Sequence, residues 1–254
     1  MVALALRFVA IGDSTVEGLE DPGPDGVHIG WADRFARHLD DAHPGVLYAN
    51  LAVRGETARE VRHTQLRPAL EMAPDVAVVV AGVNDVLRPT FDRDGLRDDL
   101  FAMHAALNAT GAQVLTLTMP DMTRVAPLAV ALRGRLEFLN ATTRQCGERF
   151  GTQVLDLAAE TVASHPAVWH TDRLHANSEG HRRIAAGLAE MVGMDVEDWR
   201  VEPPPAPQAG PARLVLTEVL WVGTHLLPWF WERARGLEPE ADLSCKRPTL
   251  SPVS

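Results

Sequence analysis

Cysteine is scarce in this chain. Its 254 residues hold two, Cys146 in a helical pattern and Cys245 in a polar tail, so no disulfide framework is implied and a reducing compartment fits. An excess of positive charge is missing as well: the formal net charge is -10, with acidic residues spread along the chain, which disfavours nucleic acid or an anionic membrane surface as the main partner. The start, MVALALRFVAIGDS, has neither a basic leader nor a small-residue cleavage site, reads as a buried strand, and leads to the expectation of an unprocessed cytoplasmic protein. Internal repeats and an HExxH helix are lacking too. What remains is an ordinary globular composition, 46% hydrophobic and 23% charged, enough for one α/β domain with a modest appendage.

Short β-branched or apolar runs recur at Leu4–Ile11, Val46–Leu51, Asp75–Ala81, Val114–Leu117 and Val154–Leu157. Stretches with helical apolar spacing separate them, among them Leu96, Leu100, Met103 and Leu107, then Leu136 and Leu139 leading to Phe150. The run DVAVVVAG is nearly all apolar, as a parallel strand buried on both faces requires. Five βα units in series predict a doubly wound five-stranded parallel sheet, a three-layer α/β/α sandwich. Right-handed crossovers then gather every loop that follows a strand on one edge. Gly12-Asp13-Ser14, Arg54-Gly55-Glu56, Gly82-Val83-Asn84-Asp85 and the loop holding Asp172-Arg173-Leu174-His175 all belong to that edge.

Acyl transfer needs a hydroxyl nucleophile, a base for its proton, a carboxylate to orient the base, and donors for the oxyanion. The edge offers Ser14, His175 and Asp172 for the first three roles, Asp172 reaching the imidazole if its loop enters a short helical turn. The neutral amide of Asn84 suits an oxyanion, with the N–H groups of Ser14 and Gly55 beside it and Asp13 and Gly82 supporting. Each residue also has a plainer use. Ser14 and Asp13 would cap the following helix, Asn84-Asp85 would serve as turn chemistry, and Asp172 and His175 would cap a helix that begins near Ser178. His170 and His181 lie close by; three histidines on one stretch raise the question of a metal, but their spacing matches no zinc pattern and no metal is expected.

GDS at 12–14, the glycine at 55, GVND at 82–85 and DRLH at 172–175 resemble, in order and spacing, the four blocks of the SGNH or GDSL hydrolases, over roughly residues 5–192 of the chain. The resemblance implies a flavodoxin-like sheet and ester or thioester hydrolysis through Ser14, without metal or cofactor. Its substrate would be a small-molecule or lipid-like ester. The family's usual leucine after the serine is replaced by Thr15, which bears on the subfamily. A thioesterase, a lysophospholipase, an O-deacetylase of a sugar or small metabolite, and a silent binding domain of the same fold stay open, since substrate choice lies in loops such as Glu20–Ile29 and Thr118–Val130.

The domain is expected to end at Asp198, where VEPPPAPQAGP reads as a stiff linker over 199–211, so that truncation there would leave a folded domain. Residues 212–235, rich in Leu and Trp, read as a helical segment kinked at Pro228 and too interrupted to span a bilayer. Docking on the domain or in a homodimer, contact with a membrane interface, and a wall over the acyl pocket are its three readings. Residues 236–254 read as a disordered tail.

Overall fold

The structure, a computed structural model, describes residues 5–24, 26–204 and 244–253. Six strands make one sheet in the order β5-β4-β3-β1-β2-β6: β1 (Arg7–Gly12), β2 (Leu47–Asn50), β3 (Val76–Val80), β4 (Gln113–Leu117), β5 (Gln153–Leu155) and β6 (Arg247–Pro252). The first five are parallel, and they fall where the apolar runs placed them. All five residues of β3, VAVVV, are buried, which the near-continuous apolar run demands of a strand covered on both faces.

Among the described residues eight helices flank the sheet: α1 (Ser14–Glu17), α2 (Gly30–Ala42), α3 (Ala58–Thr64), α4 (Leu66–Glu71), α5 (Val83–Leu87), α6 (Arg93–Asn108), α7 (Arg133–Phe150) and α8 (Ser178–Met191). Alternation along β1 divides the core. Phe8 and Ala10 pack with Trp31 and Phe35 of α2 and with Leu188 of α8, whereas Val9 and Ile11 join Leu100 and Met103 of α6 and Leu139 of α7 on the other face. Burying each of these large side chains contributes roughly 1.5–3 kcal/mol. Because β2 and β3 lie on opposite sides of β1, the strand order reverses there, and a crevice opens at the carboxyl ends of β1 and β3.

Two expectations need correction. The sheet has a sixth strand, β6, antiparallel to β2 with Tyr48 opposite Ser251, so residues 247–252 are not part of a disordered tail. Two prolines disguise this strand in the sequence; at a sheet edge a nitrogen without hydrogen is tolerated. Lys246, the chain's single lysine, anchors it by donating to His28 O at 2.9 Å, Ile29 O at 2.7 Å and Asp33 Oδ2 at 3.0 Å. Nor does the domain stop at Asp198. Trp199 is 2% exposed, packs against Gly187 of α8 and donates its indole N–H to Glu190 Oε2 at 2.7 Å. Truncation after Asp198 therefore removes a core side chain and an edge strand together. The segment 212–235 lies outside the described residues. Among the described residues no helix is long and apolar enough to cross a membrane.

Candidate active site

The nucleophile candidate sits at the end of the central strand. Gly12 closes β1 and is held from the side by Gln65, whose Oε1 accepts from Gly12 N and whose Nε2 donates to Gly12 O, both at 2.8 Å. Asp13 is fully buried and caps α1, its Oδ1 accepting from Thr15 N at 3.0 Å and Thr15 Oγ1 at 2.9 Å. Capping and site-building thus coincide, and threonine in place of leucine at position 15 gives the buried carboxyl one more donor. Burial raises the Asp13 pKa in spite of those bonds. Ser14 begins α1 with its hydroxyl turned to His175.

His175 Nε2 lies 2.9 Å from Ser14 Oγ, and His175 Nδ1 lies 2.7 Å from Asp172 Oδ2. The loop that supplies both residues is closed on itself: Trp169 bridges Ala176, His170 N donates to His175 O at 2.9 Å, and Asn177 N to Val168 O at 3.1 Å. Asp172 reaches the ring through a tight turn with Arg173 at φ 59, not through the helical turn expected; the left-handed residue brings the backbone N–H groups of Leu174 and His175 onto Asp172 Oδ1 at 2.9 and 3.1 Å. Burial alone would raise the Asp172 carboxyl, but the hydrogen bond and charge of His175, with those two N–H groups, hold it at about 2. It is the ionised partner an imidazolium needs. Asn177 caps α8, accepting from Gly180 N at 3.0 Å.

Asn84 enters from the N-terminal turn of α5. Its Nδ2 donates to Asp13 Oδ2 at 3.2 Å and to Glu56 O at 3.0 Å, which draws together the loops after β1, β2 and β3. Gly55, one residue before that carbonyl, has φ 84, and Gly82, which precedes α5, has φ 110; both values favour glycine, and a Cβ at Gly82 would also meet Leu139 Cδ1 at 2.7 Å. Among the described residues the N–H groups of Ser14 and Gly55 have no acceptor. Asp85 turns to Ala58 N at 2.9 Å and tethers the start of α3. Burial pushes its pKa up to about 6 against that bond.

The three histidines part company. His181 is 2% exposed; its Nδ1 accepts from Trp31 N at 3.1 Å while its Nε2 meets Leu19 O at 2.9 Å, so the ring is a neutral tautomer, and burial lowers its pKa to about 4. His170 lies 3.2 Å from Glu20 Oε2 and 3.6 Å from Asp172 Oδ1. Glu20, His170 and Asp172 form a group of ligand-type atoms within 4.8 Å of one another, but Asp172 is already engaged by His175 and two N–H groups.

The sequence matches the GDSL-like Lipase/Acylhydrolase family over residues 10–183. The chain belongs to that family. The sequence itself matches no curated protein. Among solved structures, this acylhydrolase is similar to LAE5, an alpha/beta hydrolase from the metagenome of Lake Arreo, Spain, at 22% identity and a TM-score of 0.62, covering 75% of this chain and 97% of that one. It is similar to a variant of Axe2, an acetyl xylan esterase from Geobacillus stearothermophilus, at 18% identity and a TM-score of 0.63, with 76% and 97% covered. TesA gives 21%, 0.60, 74% and 98%. At these identities the likeness concerns the fold, and family membership makes the chain a serine hydrolase.

Beside His175 and Thr15 the acylhydrolase opens a cavity of about 600 Å³. Its walls come from α5, from α8 and from the stretch between β4 and α7, where Met122–Arg124 and Pro127–Leu132 form 3-10 turns. Residues of the loop 118–130, where the sequence places substrate choice, supply part of this wall. Gln65, which no motif marks, belongs to the site as well: its Nε2 also donates to Glu56 Oε2 at 2.7 Å, and burial raises the Glu56 pKa. A lone glutamine inside a helical pattern carries no local signal of such a contact.

Proposed function

We propose that this chain cleaves carboxyl esters through an acyl-enzyme on Ser14. His175 takes the Ser14 proton as Oγ bonds to the substrate carbonyl carbon, then returns it to the leaving oxygen as the ester C–O bond breaks. Water, deprotonated by the same imidazole, attacks the acyl carbon and releases the acid with Ser14 restored. Asp172 fixes the tautomer and stabilises the imidazolium. The oxyanion accepts from Ser14 N–H, Gly55 N–H and Asn84 Nδ2, the last drawn from its long contact with Asp13; neutral donors stabilise it without binding the carboxylate product strongly.

The observation that carries this reading is the unbroken run from Ser14 Oγ to His175 Nε2 at 2.9 Å and on from Nδ1 to Asp172 Oδ2 at 2.7 Å. A binding domain that had given up catalysis has no use for a nucleophile, base and carboxylate in this alignment. The test is labelling with a fluorophosphonate, which should modify Ser14 alone, alongside turnover of a chromogenic short-chain ester that Ser14→Ala abolishes. Labelling at another residue, or undiminished turnover in the variant, refutes the assignment.

A further inference from the structure

The cavity beside His175 has no part in the bond-making steps above, and its chemistry points to the acid half of the substrate. Its lining includes Thr15, the residue after Ser14, and His175, which contacts Ser14 Oγ. It is also walled by Val86 and Leu87 of α5, Ala129 of the second 3-10 turn, Leu136 of α7 and Ile184 of α8, and it reaches Trp199. A charged side chain along this wall, Arg183, is engaged elsewhere: its guanidinium donates to Glu179 Oε1 at 2.6 Å and to the carbonyls of Trp199 and Val201 at 2.7 and 2.6 Å. His181, also in the wall, is held neutral by its two backbone partners. Among the described residues the lining is mainly apolar, its charged members being Arg183, engaged as above, and Asp172 and Arg173 on the loop that carries His175.

We infer that the acyl group this acylhydrolase carries is a medium to long alkyl chain of eight or more carbons, lodged in this cavity with its carbonyl at Ser14; the inference rests on the ester-hydrolase reading. A two-carbon acetyl group would occupy a small fraction of about 600 Å³ and would leave apolar walls facing water beside the reacting carbon. An alkyl chain covers them, and apolar contact made with every added methylene lowers the barrier from free enzyme and substrate. Outside the cavity lining, Glu17 of α1 pairs with Arg54 and Glu20 with His170, polar surface that an alkyl chain does not favour.

The test is a series of p-nitrophenyl esters from acetate to palmitate, each below its micelle concentration, on the full chain. kcat/KM is expected to rise about fourfold per methylene beyond butyrate, with the best substrate at octanoate or longer. Best turnover of acetate, falling beyond butyrate, would overturn the inference while leaving the ester-hydrolase reading in place. Failure to turn over any ester, with Ser14 unlabelled, would instead strike that reading, and this inference with it. Ala129→Trp, on a half-exposed 3-10 turn, should cut the decanoate-to-acetate ratio of kcat/KM at least tenfold by filling the cavity. Leu136→Trp makes the same forecast should the first variant fail to fold. An unchanged ratio in a folded, fluorophosphonate-reactive variant also overturns the inference.

Discussion

The two sides of the site are built in different ways. On the Ser14 side every element is tied by polar contacts between loops: Gln65 grips Gly12, Asp13 receives Thr15 and Asn84, and Asp85 holds the start of α3. On the cavity side the surface turned to a ligand is mainly apolar side chains on short 3-10 turns and helix faces, and the hydrogen bonds there serve the wall itself, as Arg183 does with Glu179 and the Trp199 carbonyl. Reacting groups need placement to a fraction of an ångström, which buried hydrogen bonds enforce. An alkyl chain needs only volume and dryness, which loosely specified apolar surface supplies.

If that contrast is right, substitutions on the polar side should act on chemistry and those on the apolar side on substrate choice. Ser14→Ala and His175→Ala should each lower kcat by about 10⁴-fold or more with folding intact, measured by ester turnover and circular dichroism. His181→Ala should instead cost stability, about 1–3 kcal/mol, because it strips the buried Trp31 N–H and Leu19 carbonyl of their partner. A kcat loss equal to that of His175→Ala without any fall in melting temperature would mean the base has been misplaced.

Asn84→Ala should come next, with kcat down about 10²–10³-fold and KM little changed. Unchanged kcat with a lowered melting temperature would make Asn84 a tether only. Asp85 tests the polar network by pH. Its pKa in the fold, about 6, lies above its ordinary value, so its contribution is fully present below about 3.9 and is lost as pH rises through about 6. Asp85→Asn keeps an oxygen for Ala58 N and should gain stability over wild type at pH 8, by up to about 3 kcal/mol, with the gain vanishing near pH 4; chemical denaturation at the two pH values checks it. The smallest effect is expected for Gln65→Leu, a roughly tenfold fall in kcat through looser placement of Gly12, visible as a kcat change at constant chain-length preference.

The same contrast governs how much could be read from the sequence. Gly12-Asp13-Ser14, Gly55, Asn84 and Asp172–His175 follow strands whose apolar runs are long and regular, and hydrogen-bonding chemistry restricts each of these positions to few residue types. The five parallel strands and the buried face of α6 were legible for the same reason, a strong period. Apolar walls accept many residues, so Met122, Ala129 and Leu136 carry no mark of the cavity they line. Trp199 reads as the start of a linker because prolines begin four residues later, at Pro203. β6 was missed because RPTLSP, with two prolines and no clean alternation, satisfies the rules of an edge strand only when β2 is already there to receive it.

That last strand sets an order of events. Leu47 pairs with Pro252, residues far apart in the chain, so during synthesis at about 5–20 residues per second the outer edge of β2 waits roughly 10–40 s for its partner. Over that interval Leu47–Asn50 presents unpaired backbone that a neighbouring nascent chain could extend. Crowded polysomes and high expression should therefore be the conditions under which this protein is most easily lost to inclusion bodies, and slowing translation initiation or lowering temperature should recover it.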